Sequence, residues 1–369
     1  MNYYWIAVLI SIVVICNIVL TIKRILCKES TTEASGLIIT TGTAMAISAI
    51  PCPKDIILAI IASFLDIHIN VGTDYVVMFC GLALIVLGIY YRRSIKDKIF
   101  VLNMLGIHTQ IEISEESHLK ELHLPDFKVK ENIIDFVDLF QDGKMSSKKN
   151  DIIVKKINKK CNEFLNRSHD TRACFTSMSP IPYTILAGNY LSNCGIKRYF
   201  EYVSIKQTFI ELSHKKNNKR FPELKIRYPE SIRADSTELV LALSISRPVQ
   251  DIDLNQFNTD VVHIGLDNPQ DNVIIMMEQL TQYCDLVIKE IENLRASYTS
   301  LDTIHLVASI PSCVSEKLGE LFRLRGNRLF KIIAYHFVNT NQPKYPFGIT
   351  VCSPNESGYG KFSEFKGKP

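Results

Sequence analysis

The sequence predicts an α/β protein, with a duplicated, open, Rossmann-like fold carried behind an apolar N-terminal third. Three observations point to it. Residues 303–337 (TIHLVASIPSCVSEKLGELFRLRGNRLFKIIAYHF) read as a strand, a turn at Ile310-Pro311, a helix carrying Leu318-Gly319 and a second strand. Residues 173–203 (ACFTSMSPIPYTILAGNYLSNCGIKRYFEYV) repeat that order around Ile181-Pro182 and Ala187-Gly188, with two residues fewer between the Ile-Pro pair and the glycine. The third observation is the division of the chain: the first 91 residues hold most of the long apolar runs, and nearly all the charge follows. Two strand-to-helix turns in one segment imply two open α/β halves, and open parallel sheets bind ligands beyond the carboxyl ends of their strands.

A length of 369 residues suggests two or three domains. The net charge of +4 is small for this size and does not by itself call for nucleic acid. Ten cysteines contain no C-x-x-C pair, so neither a zinc ribbon nor a thioredoxin-type motif is present, and a reducing compartment suits the soluble part.

The apolar third is expected to be a transmembrane region over residues 1–95. Residues 3–22 carry no charge and match the length of a bilayer core, with Tyr3, Tyr4 and Trp5 placed as an interfacial belt. The run lacks a basic leader region and a small-residue cleavage site, so it reads as an anchor. Residues 75–91 form a second expected span, closed by Arg92, Arg93, Lys96 and Lys98. That positive cluster places the rest of the chain in the cytosol. The apolar segment 36–65 is broken at Pro51-Cys52-Pro53, leaving two to four spans. Gly42 with Ala46, Ala44 with Ser48, and Gly81 with Gly88 supply small residues that let helices approach, a spacing read either as self-association or as ordinary membrane-helix composition.

The soluble part, residues 96–369, is expected to divide into halves of about 107–235 and 236–369. Residues 95–113 read as an amphipathic connector followed by a strand-like alternation over 107–113, and 131–140 (ENIIDFVDLF) as a helix. Residues 151–165 form a helix with Ile152, Ile153, Ile157, Cys161 and Leu165 toward the core. Strands follow at 208–212 and 223–227, with a basic, solvated tip at 214–220 between them. Residues 238–246 (ELVLALSIS) are the most strand-like stretch and run into Arg247, placing hydroxyls and a guanidinium at a strand's carboxyl end, as phosphate recognition requires. A strand at 261–266 and a helix at 272–297 lead to the second repeat unit, then a Pro-rich strand and a polar tail expected to be loose after Pro354.

The sequence contains no G-x-G-x-x-G, Walker A, G-x-S-x-G or H-E-x-x-H motif. His118 and His123 have no other ligands around them and read as surface histidines, while His305 reads as a satisfied core residue and His336 as similar but nearer a strand end.

The run Ile304-His305-Leu306-Val307-Ala308-Ser309-Ile310-Pro311 with Leu318-Gly319 resembles the signature of SAVED domains, and Ile181-Pro182 with Ala187-Gly188 resembles the matching place in a first half. SAVED domains are similar to two fused CARF domains, Rossmann-like sensors of cyclic oligonucleotides. With an apolar N-terminal third, the chain resembles the transmembrane SAVED effectors of CBASS, the bacterial cyclic-oligonucleotide antiphage system. The resemblance implies no cofactor and an activating cyclic di- or trinucleotide. It also implies a lipid bilayer and further copies of the chain as partners, and a functional link to a cyclic nucleotide synthase. The location implied is the bacterial inner membrane, with the C-terminal domain cytosolic. Carried over by position, the ligand-binding residues are Ser244, Ser246 and Arg247 after the first strand of the second half, Ser309 and Ser312 at its turn, and Ser177, Ser179 and Tyr183 at the turn of the first half. Hydroxyls and helix N-terminal amides would hold phosphates, Arg247 would pair with one, and Tyr183 would stack on a base. Against these roles stand a helix N-cap for each serine and a surface ion pair for Arg247.

The expected function is a non-enzymatic membrane effector that oligomerises on binding its messenger and breaches the bilayer. A membrane-tethered enzyme that degrades the messenger and a sensor that only recruits a partner are the alternatives.

Overall fold

The computed structural model describes residues 32–48, 75–96, 98–107, 111–122, 124, 128–140, 144–168, 172–215, 221–230, 236–326, 329–354 and 358–365. The chain forms two compact units, one of Met1–Lys98 with His169–Thr171 and one of Ile99–Ser168 with Arg172–Pro369.

In the first unit α1 (Thr32–Ser48) packs against α2 (Tyr75–Lys96). The small residues set the approach: a Cβ on Gly42 would lie 2.6 Å from the Gly81 carbonyl oxygen, and one on Gly81 2.6 Å from the Ala46 nitrogen. The spacing seen in the sequence therefore joins two helices of one chain. No helix among the described residues is long and apolar enough to cross a membrane. The expected span at 75–91 is the uncharged part of α2, whose 17 residues rise about 26 Å against a hydrocarbon core of about 30 Å. The expected span at 3–22, and the part of the broken segment beyond Ser48, lie outside the described residues, as do most of the basic tip and His123.

The second unit opens with β1 (Lys98–Leu105), α3 (Glu116–Glu121), β2 (Lys128–Asp135), a 3-10 turn at Val137–Leu139 and α4 (Ser147–Ser168). Then come β3 (Arg172–Met178), α5 (Ile181–Leu191), β4 (Arg198–Val203) and β5 (Thr208–Glu211), giving a five-stranded sheet of order β2-β1-β3-β4-β5. After β6 (Lys225–Arg227) the second half repeats the plan. It comprises β7 (Glu238–Ser244), α6 (Asp251–Leu254), β8 (Val261–Gly265), α7 (Met277–Ser297), β9 (Thr303–Ser309), α8 (Ser312–Arg325), β10 (Lys331–His336), β11 (Phe347–Cys352) and β12 (Phe362–Glu364). Its sheet has the order β12-β11-β10-β9-β7-β8-β6. In each half the first, third and fourth strands (β1, β3, β4; β7, β9, β10) run parallel, and an antiparallel strand follows (β5; β11).

Three expected elements are corrected. The first strand lies at 98–105, ahead of the strand expected at 107–113, so the half begins at the domain's start. KIFVLNML has no alternation because an inner parallel strand is buried on both faces, and Ile99 and Leu102 are both fully buried. The expected helix at 131–140 is β2 and a 3-10 turn. Asn132, Ile134 and Phe136 are buried while Asp135 is exposed, a period of two that the short run also allowed. The tail beyond Pro354 is held, since β12 pairs antiparallel with β11 and the buried Asn150 side chain donates to the Gly360 carbonyl at 2.8 Å. The helix expected at 151–165 forms within α4, but Ile152 stays largely exposed and Phe164 takes its place in the core.

One core runs through both halves, including Leu102 of β1, Ile157 of α4, Tyr183 of α5, Leu241 of β7, Phe322 of α8 and Val351 of β11. Each large side chain such as Phe322 or Leu318, both fully enclosed, gains about 1.5–3 kcal/mol on leaving water. At its centre α5 crosses α8. A Cβ on Gly188 would lie 2.0 Å from the Glu316 carbonyl oxygen, and one on Gly319 1.9 Å from that of Ile185. Only glycine permits so close a crossing, which is why Leu-Gly and Ala-Gly recur in the two repeats.

Candidate ligand-binding crevice

The reciprocal crossing fixes the register of the duplication. Gly188 answers Gly319, and at the same offset β3 answers β9 from end to end, while Pro180 answers Pro311. Pro180 and Pro311 are the N-cap residues of α5 and α8, with similar backbone angles. Thr184 and Ser315, also equivalent, turn their hydroxyls back to those proline carbonyls, at 3.5 and 3.0 Å. The proline matching Pro311 is therefore Pro180, two residues before Pro182, and the apparent two-residue difference in spacing disappears.

In each half the first strand lies between the second and the third (β2-β1-β3; β8-β7-β9), so chain connections leave in opposite directions and open a gap beyond the carboxyl ends of the strands. Both gaps meet in one crevice of about 660 Å³. Ile107 and Ser179 line it from the first half, and Ser246, Arg247, Ser309 and His336 from the second. A side pocket of about 210 Å³ adjoins it between the starts of α5 and α8, lined by Ser177, Ser179, Thr184, Ser312 and Ser315 with Glu201. A larger cleft of about 810 Å³ lies by β6 and the start of β8, lined by residues such as Arg227 and Val261. It draws no residue from the five-stranded sheet and lies away from the strand carboxyl ends, so topology favours the shared crevice.

Six of the eight residues expected to bind ligand line the crevice or its side pocket: Ser246, Arg247, Ser309, Ser179, Ser177 and Ser312. Ser177, Ser179 and Thr184 form a ring of hydroxyls with contacts of 2.8, 2.9 and 2.9 Å. The Ser309 carbonyl accepts from the amides of Ile245 and Ser246 at 3.0 and 2.9 Å, tying the two strand ends together. Arg247 is largely exposed and reaches Asp271 at 3.3 Å, the surface ion pair held against its ligand role.

Two residues are placed elsewhere. Tyr183 is fully buried, packs edge-on against Phe136 and Phe140, and donates its hydroxyl to Asn150 Oδ1 at 3.1 Å. Its ring belongs to the core and offers no face to a base, because it follows Pro180 by three residues and so points inward from the first turn of α5. Ser244 lies two residues before the first lining residue, Ser246, and its Oγ accepts the Val249 amide at 3.0 Å, pinning the loop that carries Ser246 and Arg247.

Glu201 and His336 are two polar crevice residues that sequence reasoning missed. Through the registers of β3 with β4 and β9 with β10 they occupy the same position in the two halves. Glu201 was detectable as the one acidic residue in the apolar strand RYFEYV. Its Oε1 accepts from Ser312 Oγ at 3.0 Å and from the Cys313 amide at 2.5 Å, so the first half caps α8 of the second. Burial pushes its carboxyl up from the usual range, against the pull of those donors. Burial lowers His336 to about 4, which keeps its imidazole neutral at pH 7. His305 is satisfied by Tyr335 at 3.0 Å and Glu238 at 3.4 Å, and burial lowers it also. His118 is buried rather than superficial, with Nδ1 2.8 Å from the Glu112 carbonyl oxygen. Among the described residues no group of three or more His, Cys, Asp or Glu is placed to hold a metal ion.

Solved structures with a similar fold include the Acinetobacter baumannii Cap4 SAVED/CARF-domain containing receptor with the cyclic trinucleotide 2'3'3'-cAAA, at 15% identity and a TM-score of 0.47 over 73% of this chain and 56% of that one. The Moraxella osloensis Cap4 SAVED/CARF-domain containing receptor gives 16% identity and a TM-score of 0.41 over 72% and 55%. The chain thus spans a little over half the length of these receptors. Comparison with curated proteins gives no match. Residues 157–351, more than half of the chain, match the SAVED family, described as the SMODS-associated and fused to various effectors sensor domain. The duplicated sheets, the paired glycine crossing and this match together make the chain a member of the SAVED family.

Proposed function

We propose that the protein is a non-enzymatic, membrane-associated effector of a bacterial cyclic-oligonucleotide antiphage system. Its SAVED domain binds a cyclic di- or trinucleotide, the loaded domains assemble, and the N-terminal third disrupts the inner membrane. The observation that carries the ligand reading is the shared crevice: two strand-end gaps, one from each half, converge on hydroxyls and Arg247, the donors that a ringed phosphodiester needs. Membership of a sensor family supports it. The volume lies within the range of pockets that enclose small ligands.

The membrane reading is supported by the composition of the N-terminal third and by α2, which leaves Phe79, Val86, Leu87 and Tyr90 more than half exposed. An apolar face of that kind is at home in lipid. Assembly would raise the local concentration of these helices and turn weak contacts into a stable lesion. The synthase that supplies the messenger is its functional partner, and the sensor domain faces the cytosol.

Liposomes loaded with a self-quenched dye and bearing the full chain test the proposal. Release on adding a cyclic trinucleotide, with the nucleotide recovered intact, is the expected result. Unchanged permeability at saturating ligand refutes the effector reading, and recovery of a linearised nucleotide indicates a degrading enzyme.

A further inference from the structure

Glu201 is nine-tenths buried, yet it lines both the crevice and its side pocket. One of its oxygens is committed. Oε1 takes the Ser312 hydroxyl and the Cys313 amide, so the start of α8 already has its anion. Neither of those two hydrogen bonds reaches Oε2. A carboxylate oxygen held rigidly by a helix start and left open at a ligand crevice is an acceptor only. A phosphate brought to that place would meet a like charge, so the matching ligand group is a neutral donor.

We propose that Glu201 Oε2 is a specificity determinant that accepts a hydrogen bond from a neutral donor of the bound cyclic oligonucleotide, a base exocyclic amine or a ribose 2′-hydroxyl, and that phosphates are held on the Arg247 side. The inference rests on the ligand reading above. It makes the crevice chemically one-sided, since the equivalent position of the second half is the neutral imidazole of His336. A ring therefore enters in one orientation.

Glu201→Gln separates this role from a structural one. The glutamine carbonyl keeps the bonds from Ser312 and Cys313, while its amide nitrogen puts a donor where Oε2 stood. Binding is measured by titration calorimetry on the full chain with cyclic triadenylate, its inosine analogue, which lacks the exocyclic amine, and its 2′-deoxy analogue. The expected result is a loss of about tenfold or more for cyclic triadenylate in E201Q at an unchanged melting temperature. The analogue lacking the relevant donor should bind the wild-type chain more weakly and be indifferent to the substitution, which identifies the donor. Equal or tighter binding of cyclic triadenylate by E201Q overturns the inference while leaving the ligand reading intact. Failure of the wild-type chain to bind any of the rings overturns both. If E201Q melts early, Glu201→Asp, which keeps the charge but withdraws it by one methylene, should show the same loss, and unaltered affinity in that variant overturns the assignment.

Discussion

Replacing Gly319 by alanine would set a methyl carbon 1.9 Å from the Ile185 carbonyl oxygen, where ordinary contact begins near 3.4 Å. The atom struck is backbone, so no side chain can swing aside. The two helices must part by about 1.5 Å at the centre of the core, and a gap of even 0.5–1 Å forfeits a quarter to a half of the dispersion energy across it. Alanine returns about 1 kcal/mol through its better helix propensity. Overpacking of this kind costs about 1–3 kcal/mol and more where backbone must move, so the net loss should be about 2–4 kcal/mol. For a domain of this size that lowers the melting temperature by about 5–10 °C. Differential scanning calorimetry of G319A beside Gly326→Ala measures it, because a Cβ on Gly326 meets only the Tyr359 hydroxyl, at 3.4 Å. Gly188→Ala should behave like G319A, from the other side of the crossing. A G319A transition within about 2 °C of wild type, or no lower than that of G326A, would refute the reasoning.

Further expectations follow from the same core and crevice. Burial lifts Glu316 to about 8 from 4.5, so between those values the unfolded chain has released a proton that the folded chain keeps. This part of the stability is whole below the window and is lost as pH rises through it, at up to about 1.4 kcal/mol per pH unit; urea melts from pH 5 to 8 should show the slope, and Glu316→Gln should flatten it. Tyr199→Phe removes the donor 2.5 Å from Glu316 Oε2, and since Oε1 has no partner the carboxyl would be left unsatisfied, at a cost of about 1–3 kcal/mol in the same melts. Ser244→Ala frees the Val249 amide, costing about 1 kcal/mol and speeding its hydrogen exchange. Arg247→Ala should leave the melting temperature unchanged while weakening cyclic-nucleotide binding about tenfold and reducing its salt dependence, because the side chain is exposed in the fold and cationic toward the ligand.

The second half was the more legible in the sequence, and the reason is physical. β7 and β9 are central parallel strands, buried on both faces, and their continuous apolar runs stand out in any reading. β2, at the edge of its sheet, has only a few alternating positions that a helix of the same length also satisfies. The serines of the crevice were found because they follow strand ends directly. Tyr183 was misplaced because the first repeat was aligned on the wrong proline: Pro180 and Pro182 are both present, and only the crossing of Gly188 with Gly319 decides between them. Glu201 escaped notice because its partners, Ser312 and Cys313, are more than a hundred residues away, and no local pattern marks a cap supplied from the opposite half.

The enclosure of α5 bears on how the chain is made. During synthesis this helix leaves the ribosome well before α8, the element against which it must lie, has been translated. Until then its apolar surface has no permanent cover, so the first half cannot complete its packing as an autonomous nascent domain. A stalled or truncated polypeptide ending before α8 would present that surface to chaperones and proteases, and only translation through α8 would close the core.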